Sequence, residues 1–388
     1  MNVLFLTNRD PFSDDTVGGA ETSIRLLADR FAARDHDTVY ATNATGWCPS
    51  TSRPSLESSG VKHVTITVPR DSARLALRTL RKTLLIRELT RLVGRHGTHV
   101  AYAYYELENL QTLLRVRSKL GGPRIVLRMA GLRWYRDCLR HPELVAAYER
   151  VFNEVDAINF IHEDLEPMTE QRLAELGMDI SFRRRFYGDI GSSVEPGRGP
   201  IGRRESDAPF KIVMASRFSD YQKRQELLIE AASLLDPNLR ISMELIGDGA
   251  NRAALQSQID RLGLHEKVSL HAFMPQEALW DRMRGADLMC HACDYEGLGK
   301  ILVESMAVGL PVLVSNVPPL NSLIVDGENG FLVDNEPAAW ARRIEEIAEA
   351  HAARELVSRR AIEFVRERYD PNEQVQLYEN LFRDLGEG

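Results

Sequence analysis

The chain lacks most features that mark exported or membrane-spanning proteins. It has only four cysteines in 388 residues, too few for the disulfide framework of a secreted scaffold. It has no run of 18 apolar residues, so no segment is predicted to span a membrane. Its first residues lack the basic stretch of a signal peptide and predict a buried strand. We therefore expect a cytoplasmic protein with reduced thiols.

Composition excludes several further classes. Hydrophobic residues make up 44% and charged residues 27%, which is ordinary for a globular protein and excludes disorder. The net charge of −7 argues against nucleic acid as a partner. The charge is uneven, because residues 1–200 carry 28 Lys and Arg against 25 Asp and Glu, and residues 201–388 carry 21 against 31. The first half is therefore the expected host for an anionic partner.

The alternation of predicted elements indicates an α/β protein. The chain begins with the strand Val3–Thr7, a loop that ends in Gly18 and Gly19, the helix Ala20–Arg34 and the strand Asp37–Asn43. This order is a βαβ unit, and similar units follow it.

The length of the chain indicates two domains, since single cores stop growing at roughly 250–300 residues. Residues 191–209 are rich in Gly, Pro, Ser and charge, and we predict that they form a linker. We predict two Rossmann-like domains, at 1–195 and 205–370, that face each other across a cleft. Ligands of such sheets bind at the carboxyl ends of the strands.

The segment Tyr295–Val312 is the strongest chemical motif. Gly297 and Gly299 permit close approach of a ligand to the backbone, and the helix that follows offers unpaired amides that suit a phosphate or diphosphate. Glu296 and Glu304 flank this anion site. Carboxylates repel phosphate but accept hydrogen bonds from sugar hydroxyls. The motif therefore predicts a ligand that carries both phosphate and polyol groups.

Five motifs in this order resemble those of family-4 glycosyltransferases with the GT-B fold, over nearly the whole chain. They are Gly18–Glu21, Ser216–Phe218 with Lys223, Ile246–Gly249, the Glu-x7-Glu motif of Glu296 and Glu304, and Asp326–Val333. The resemblance implies metal-independent, retaining transfer of a sugar from a nucleotide-diphosphate sugar, which is a co-substrate, so that no cofactor is expected. It also implies that the last helix, in 371–388, returns to the first domain.

The resemblance implies roles for individual donor-side residues. Glu296 would bind hydroxyls of the donor sugar, and Glu304 those of the ribose. Arg217 and Lys223 would neutralise the leaving diphosphate, so the expected catalytic residues are these two and Glu296. The remaining implied donor contacts are the amides of Leu298, Gly299 and Lys300, the glycines Gly18, Gly19 and Gly247, and Phe273 beside the base.

Candidate acceptor contacts lie at two places in the first domain. Tyr105 and Glu106 are at the end of a predicted strand, and Arg128 and Arg133 surround the segment that should face the acceptor. Contact with a sugar or with an anionic acceptor is one interpretation of these side chains. A core tyrosine and solvated or structural arginines are the alternative.

Two places depart from the family pattern. Ala130 stands where many members have a His, so a His contact to the donor sugar is absent or supplied elsewhere. The run Cys290–Cys293 replaces a common Pro-Ser step, and its Cys-x-x-Cys with one His is a poor metal set. We expect these to be buried residues at the end of a strand.

The stretch Arg70–Arg95 predicts a basic amphipathic helix with two interpretations. Such a helix can lie on anionic lipid, which makes peripheral membrane contact a candidate interaction. It can also dock on the sheet with its polar face in water.

The expected function is that of a retaining glycosyltransferase, with UDP as the expected donor nucleotide and GDP as the alternative. The acceptor would be a glycan, a lipid-linked sugar or a small natural product. A GT-B enzyme of another reaction, such as a nucleotide-sugar epimerase or a phosphorylase, is one alternative. A non-catalytic GT-B binding protein is the other.

Overall fold

In a computed structural model, the chain divides into two compact units. Unit 1 comprises Met1–Ile190 with Pro371–Gly388, and unit 2 comprises Gly191–Asp370. The structure describes residues 1–8, 19–45, 51–53, 60–69, 75–191, 194, 197, 208–218 and 222–387. The predicted linker at 191–209 lies mostly outside these residues.

Within unit 1, strands and helices alternate along most of the chain. The strands are β1 (Asn2–Thr7), β2 (Asp37–Thr45), β3 (Thr51–Arg53), β4 (Lys62–Val68), β5 (Val100–Tyr104), β6 (Arg124–Met129), β7 (Ala157–Phe160) and β8 (Arg185–Tyr187). The helices that precede unit 2 are α1 (Gly19–Ala32), α2 (Leu75–His96), α3 (Leu107–Leu120), α4 (Arg133–Arg140), α5 (Val145–Glu154) and α6 (Leu165–Glu175).

The sheet of unit 1 has the order β3-β4-β2-β1-β5-β6-β7-β8 among the described residues. All neighbouring strands are parallel except β3, which is antiparallel to β4. The chain builds the sheet outward from β1 in one direction and then continues from β5 in the other. The gap between the carboxyl ends of β1 and β5 is thus a switch point of the topology, where open α/β sheets bind ligands.

Unit 2 repeats the pattern with a smaller sheet. Its strands are β9 (Phe210–Ala215), β10 (Ile241–Ile246), β11 (Val268–His271), β12 (Leu288–His291), β13 (Val312–Ser315) and β14 (Phe331–Val333). Its helices are α7 (Gln225–Leu234), α8 (Arg252–Leu262), α9 (Gln276–Arg284), α10 (Lys300–Ala307), α11 (Leu320–Leu323), α12 (Pro337–Glu349) and α13 (His351–Arg368). The strand order is β11-β10-β9-β12-β13-β14, all parallel, with its switch point between β9 and β12.

Short apolar runs form the central strands because both faces of each parallel sheet are buried. In β1, Val3, Leu4, Phe5 and Leu6 are fully buried, as expected for a strand with helices on both sides. The same pattern holds in β12. The predicted pair of Rossmann-like domains is thereby confirmed.

The last helix, α14 (Pro371–Glu387), belongs to unit 1. Its Val375, Tyr378 and Phe382 are fully buried in the core of that unit. The hydroxyl of Tyr378 donates to the carbonyl of Gly188 at 2.7 Å. The predicted return of the final helix to the first domain is confirmed. No helix in the described ranges is both long enough and apolar enough to cross a membrane.

Candidate functional site

The candidate site of unit 2 lies where β9 and β12 end at the switch point of the sheet. The loop after β9 runs beside the loop after β12, since the amide of Arg224 donates to the carbonyl of Ala292 and that of Asp294 to the carbonyl of Gln222. Lys223 consequently pairs with Cys293 as an isolated antiparallel bridge. These backbone contacts bring side chains more than 70 residues apart in sequence to one point.

Lys223 and Glu296 form an ion pair at this point. The Lys223 ammonium donates a short hydrogen bond to Oε2 of Glu296, and the two side chains are 11% and 14% exposed. Oε1 of Glu296 accepts from the amide of Gly297 at 2.9 Å and from Gln222 at 3.5 Å. The carboxylate is therefore held on both oxygens but is not sealed from solvent.

His291, the last residue of β12, completes the cluster. Its Nε2 lies 2.9 Å from Oε2 of Glu296 and 3.0 Å from Nζ of Lys223. Burial alone would raise the pKa of Glu296, but the Lys223 ammonium and the His291 ring outweigh it and hold that pKa well below its ordinary value. Burial, and next the Lys223 charge, lower the pKa of His291. The cluster at neutral pH thus contains an ammonium, a carboxylate and a neutral imidazole.

Three side chains of this cluster have the chemistry of metal ligands. His291, Cys293 and Glu296 offer ligand atoms that lie within 4.8 Å of one another. The Lys223 ammonium already bonds to Glu296 and lies within hydrogen-bond distance of His291, so the cluster holds a cation of its own. Burial is the largest influence that raises the pKa of Cys293 to about 12, which favours the thiol over the metal-binding thiolate. The expectation that no metal is needed stays a prediction.

The N-terminus of α10 forms the next part of the site. Gly299 caps the helix with φ of 67°, and a Cβ there would lie 2.9 Å from the side chain of Leu302. Within the part of the chain that the structure describes, no side chain caps this terminus, so the first amides of the helix are available to an anion. Leu298 is buried beneath the turn, and Lys300 is the first residue of the helix.

Glu304 lies one turn further along α10 and is 2% exposed. Its Oε2 accepts a hydrogen bond from the side-chain Nε2 of Gln276, and its Oε1 lies 3.9 Å from Nζ of Lys300. The structure thus brings Leu298 and Gly299, which precede α10, together with Lys300 and Glu304 of that helix, close in sequence to Glu296.

The loop after β9 packs closely on the end of β10. Gly247 has φ of 155°, and a Cβ there would lie 2.0 Å from the carbonyl oxygen of Ser216. The side-chain amide of Gln225 holds the same loop through hydrogen bonds to Ser216 and to the carbonyl of Arg217. Arg217 itself is exposed. Gly247 is therefore required by the close approach of two backbones.

The remaining predicted donor contacts are Phe273, Gly19 and Gly18. Phe273 is 52% exposed between β11 and α9, where it is free to contact a ligand. Gly19 is the first residue of α1. Gly18 lies outside the described residues.

The candidate acceptor residues of unit 1 separate into two groups. Tyr105, Glu106 and Arg133 line a cavity of about 620 Å³ at the carboxyl edge of the sheet. Arg128 is 2% exposed, and its guanidinium donates to Asp189 at 2.7 Å and to the hydroxyl of Tyr102 at 3.3 Å. The structure therefore favours the structural alternative for Arg128.

Two basic side chains of α2 also line this cavity, and sequence reasoning did not assign them to a site. Arg78 and Lys82 are one helical turn apart and line it, together with Asn8 at the end of β1. Other basic residues of α2 pair within the helix or the unit, as Arg81 does with Glu108 at 2.7 Å and Arg91 with Glu88 at 2.9 Å. Part of the predicted basic face is thus engaged by the protein itself, while contact with a membrane stays a prediction.

The run Cys290–Cys293 is buried at the end of β12, as expected, but sequence reasoning gave its His291 no role in the site. Sequence reasoning also did not identify Gln222 and Gln276. Gln222, on the loop after β9, contacts Glu296, and Gln276, the first residue of α9, contacts Glu304, so no local pattern pointed to them.

Comparison with known families and proteins agrees with this architecture. Residues 202–364 match the family model of glycosyl transferases group 1. D-inositol 3-phosphate glycosyltransferase of Streptomyces griseus is 33% identical over 194 residues, 46% of this chain and 40% of that protein. The enzyme of the same name from Arthrobacter sp. is 30% identical over 230 residues, 56% of this chain and 48% of that protein. The chain thus spans less than half the length of these curated relatives.

Solved structures match over almost the entire chain. Anabaena Alr3699/HepE in complex with UDP and glucose has a TM-score of 0.75 at 19% identity and covers 99% of both chains. Sucrose-phosphate synthase from Thermosynechococcus elongatus has a TM-score of 0.80 at 17% identity and covers 99% of this chain and 98% of its own. The fold of the protein is GT-B, and the match of residues 202–364 together with the names of the relatives supports a glycosyltransferase.

Proposed function

We propose that the protein is a retaining glycosyltransferase that moves a sugar from a UDP-sugar to a hydroxyl of an acceptor. The observation that carries this proposal is the ion pair of Lys223 and Glu296 beside the uncapped N-terminus of α10, within the segment that matches glycosyl transferases group 1. A cation, free helix amides and two carboxylates at one switch point suit a ligand with a diphosphate and two sets of sugar hydroxyls.

UDP is the proposed donor nucleotide. Structural neighbours were solved with UDP and with UDP-glucose. In this chain Glu304 is buried where a ribose would bring its hydroxyls if the diphosphate lies on the amides of α10. Phe273, on the loop after β11, offers an exposed ring beside the base.

The chemistry requires stabilisation of the leaving group. When the bond between the sugar and the diphosphate breaks, about one further negative charge develops on the diphosphate. Lys223 and Arg217 would offset that charge, and Glu296 would hold the sugar through its hydroxyls. We propose retention of the anomeric configuration, as in the family that the sequence resembles, and NMR of the product anomer tests it.

Nucleotide binding is the first test. We would measure the thermal shift of the protein with UDP, GDP, ADP and TDP, for wild type and for Glu304→Ala. At a concentration of 100 Kd a ligand adds about 2.7 kcal/mol to the stability of the folded protein. We expect UDP to stabilise wild type and not Glu304→Ala, while Glu328→Ala, which removes an exposed carboxylate of unit 2, behaves as wild type. Absence of a shift with every nucleotide would contradict the proposal.

An anionic polyol is the proposed class of acceptor. Arg78, Lys82 and Arg133 line the cavity of unit 1, with Tyr105 and Glu106 beside them to meet a sugar or cyclitol ring. The curated relatives are named for D-inositol 3-phosphate, a polyol that carries one phosphate. An acceptor of this kind would place its phosphate on the cations and its hydroxyls on Glu106.

This acceptor class is tested by product formation from a UDP-sugar. We would compare myo-inositol with its monophosphates as acceptors, in wild type and in Arg78→Ala/Lys82→Ala. We expect the monophosphates to be preferred and the variant to raise KM for them about tenfold, since hydrogen bonds to charged groups contribute about 1.5 kcal/mol or more. Arg95→Ala, at the far end of α2, is the matched control. Equal use of the neutral and the phosphorylated acceptor by wild type would contradict this assignment.

A further inference from the structure

The His291 imidazole lies inside the candidate donor site, although no role has been assigned to it. The residue is 1% exposed, and its Nε2 faces both Lys223 and Glu296, at 3.0 and 2.9 Å. Its other nitrogen, Nδ1, is buried without a hydrogen-bond partner among the described residues. Burial of a polar ring with one unsatisfied nitrogen costs free energy. The hydrogen bond of the other nitrogen must therefore offset part of that cost.

One nitrogen of a neutral ring cannot donate to Glu296 and accept from Lys223 at once. With the proton on Nδ1, Nε2 would accept from Lys223, and a buried N–H would be left without an acceptor. With the proton on Nε2, the ring donates to Glu296, and only a lone pair is left unmatched. Orphaned buried N–H groups are rarer than under-satisfied acceptors, so the second arrangement is the favoured one.

The Lys223 ammonium has two possible partners, the Glu296 carboxylate and the diphosphate of a bound ligand. In the ligand-free protein it bonds to Glu296, whereas in the proposed reaction it is needed by the diphosphate. If the ammonium turned to the diphosphate and nothing replaced it, the Glu296 carboxylate would lose its strongest partner in a largely buried place. The carboxylate would then compete with the diphosphate for the same cation.

We infer that His291 is a positioning residue of the donor site, whose Nε2–H holds the Glu296 carboxylate while Lys223 serves the diphosphate of a bound nucleotide sugar. This inference rests on the proposed function. The bond from His291 to Oε2 and the bond from the Gly297 amide to Oε1 together fix the orientation of the carboxylate. Its remaining lone pairs then face the hydroxyls of the sugar.

Binding of the sugar tests the inference. We would measure Kd by calorimetry for UDP and for UDP-glucose, UDP-galactose and UDP-N-acetylglucosamine, and take the ratio of UDP to each UDP-sugar as the contribution of the sugar. We expect His291→Phe, which keeps a planar aromatic ring but no hydrogen-bond donor, to reduce this contribution about tenfold or more, as for one hydrogen bond to a charged group. Binding of UDP itself should change much less.

Two further variants separate positioning from packing. His291→Gln retains a side-chain N–H near the place of Nε2 and should recover most of the contribution of the sugar. Cys290→Ala removes a neighbouring core side chain of β12 and should leave the ratio at the wild-type value. Equal losses in His291→Phe and Cys290→Ala would overturn the inference and leave the proposed function standing. If wild type binds none of these UDP-sugars more tightly than UDP, the inference is overturned, while the thermal shift with UDP decides the proposed function separately.

The tautomer of the ring gives a readout that needs no ligand. The titratable groups that face the ring are the Lys223 ammonium, the Glu296 carboxyl and the Cys293 thiol, with Asp294 beside the thiol. Long-range nitrogen–proton NMR spectra of histidine-labelled protein identify the protonated nitrogen, with the His291→Gln spectrum as the assignment. We expect the proton on Nε2 at neutral pH. A proton on Nδ1 would overturn the inference, whatever the protein binds.

Discussion

Both units bury a pair of opposite charges near the carboxyl edge of the sheet, Arg128 with Asp189 in unit 1 and Lys223 with Glu296 in unit 2, and the two pairs differ in their further contacts. In unit 1, Arg128 near the end of β6 bonds to Asp189 after β8, and both side chains are 2% exposed. In unit 2, Lys223 and Glu296 are several times more exposed and share the His291 ring. We call the first pair closed, because it is almost fully buried, and the second pair open, because we propose that Lys223 exchanges Glu296 for a ligand.

The difference shows that burial of a charge does not by itself mark a functional site. A closed pair offsets its own desolvation, and breaking it leaves one charge stranded in the core. A pair at a switch point, with helix amides beside it, lies where a bound ligand can contact one of its charges. Charge pairs of this second kind are where perturbed pKa values accompany chemistry.

Loss of the closed pair should have the largest effect on stability. Arg128→Ala leaves Asp189 buried without its guanidinium, and we expect the free energy of unfolding to fall by about 3–5 kcal/mol. Urea unfolding measures this change. The double variant Arg128→Met/Asp189→Leu removes both charges and should be far less destabilised. UDP binding by the folded part of Arg128→Ala should stay normal, and a loss below 1 kcal/mol would show that the two pairs are alike.

Loss of the open pair, Lys223 with Glu296, should lower the rate of the reaction more than the stability of the fold. We expect Lys223→Ala to lower kcat by about 10²–10³, as removal of one preorganised group at a developing charge does in other enzymes. The steady-state rate of UDP release measures it. Lys211→Ala, an exposed lysine of β9, is the control. A variant that keeps kcat while it loses several kcal/mol of stability would make this pair structural as well.

The sequence predicted the parts of both units that depend on local pattern. Continuous apolar runs predicted the central strands, and the Glu-x7-Glu motif predicted Glu296 in the loop before α10 and Glu304 on that helix. The strand β8 was missed because its three residues, Arg185–Tyr187, are partly exposed and carry no apolar run. The strand β3 was missed for a similar reason, since it is a three-residue antiparallel edge strand.

Which charges are closed and which are open could not be predicted from the sequence. Arg128 was grouped with Arg133 because both surround the segment expected to face the acceptor, but Arg128 lies within β6, where its side chain is buried against Asp189. The contact of His291 with Lys223 depends on two loops that pair through their backbones. Such contacts arise from tertiary structure, and no spacing along the chain encodes them.

The smallest expected effect is the dependence of the open pair on pH. The pKa of Glu296 in the folded protein lies below its ordinary value of 4.5, because the Lys223 ammonium and the hydrogen bond from His291 outweigh the opposing effect of burial. A carboxyl whose pKa is depressed by folding stabilises the protein above its ordinary pKa, and that contribution is lost as the pH falls toward the folded pKa. The free energies of unfolding of wild type and Glu296→Gln should therefore differ most near pH 7 and converge below pH 4.5. Taking the difference cancels the acid titration of other groups. If the difference in free energy of unfolding between the two proteins stays constant between pH 7 and pH 3.5, folding does not depress the pKa of Glu296. Lys223 and His291 would then stabilise the carboxylate no more than water stabilises a carboxylate on the surface.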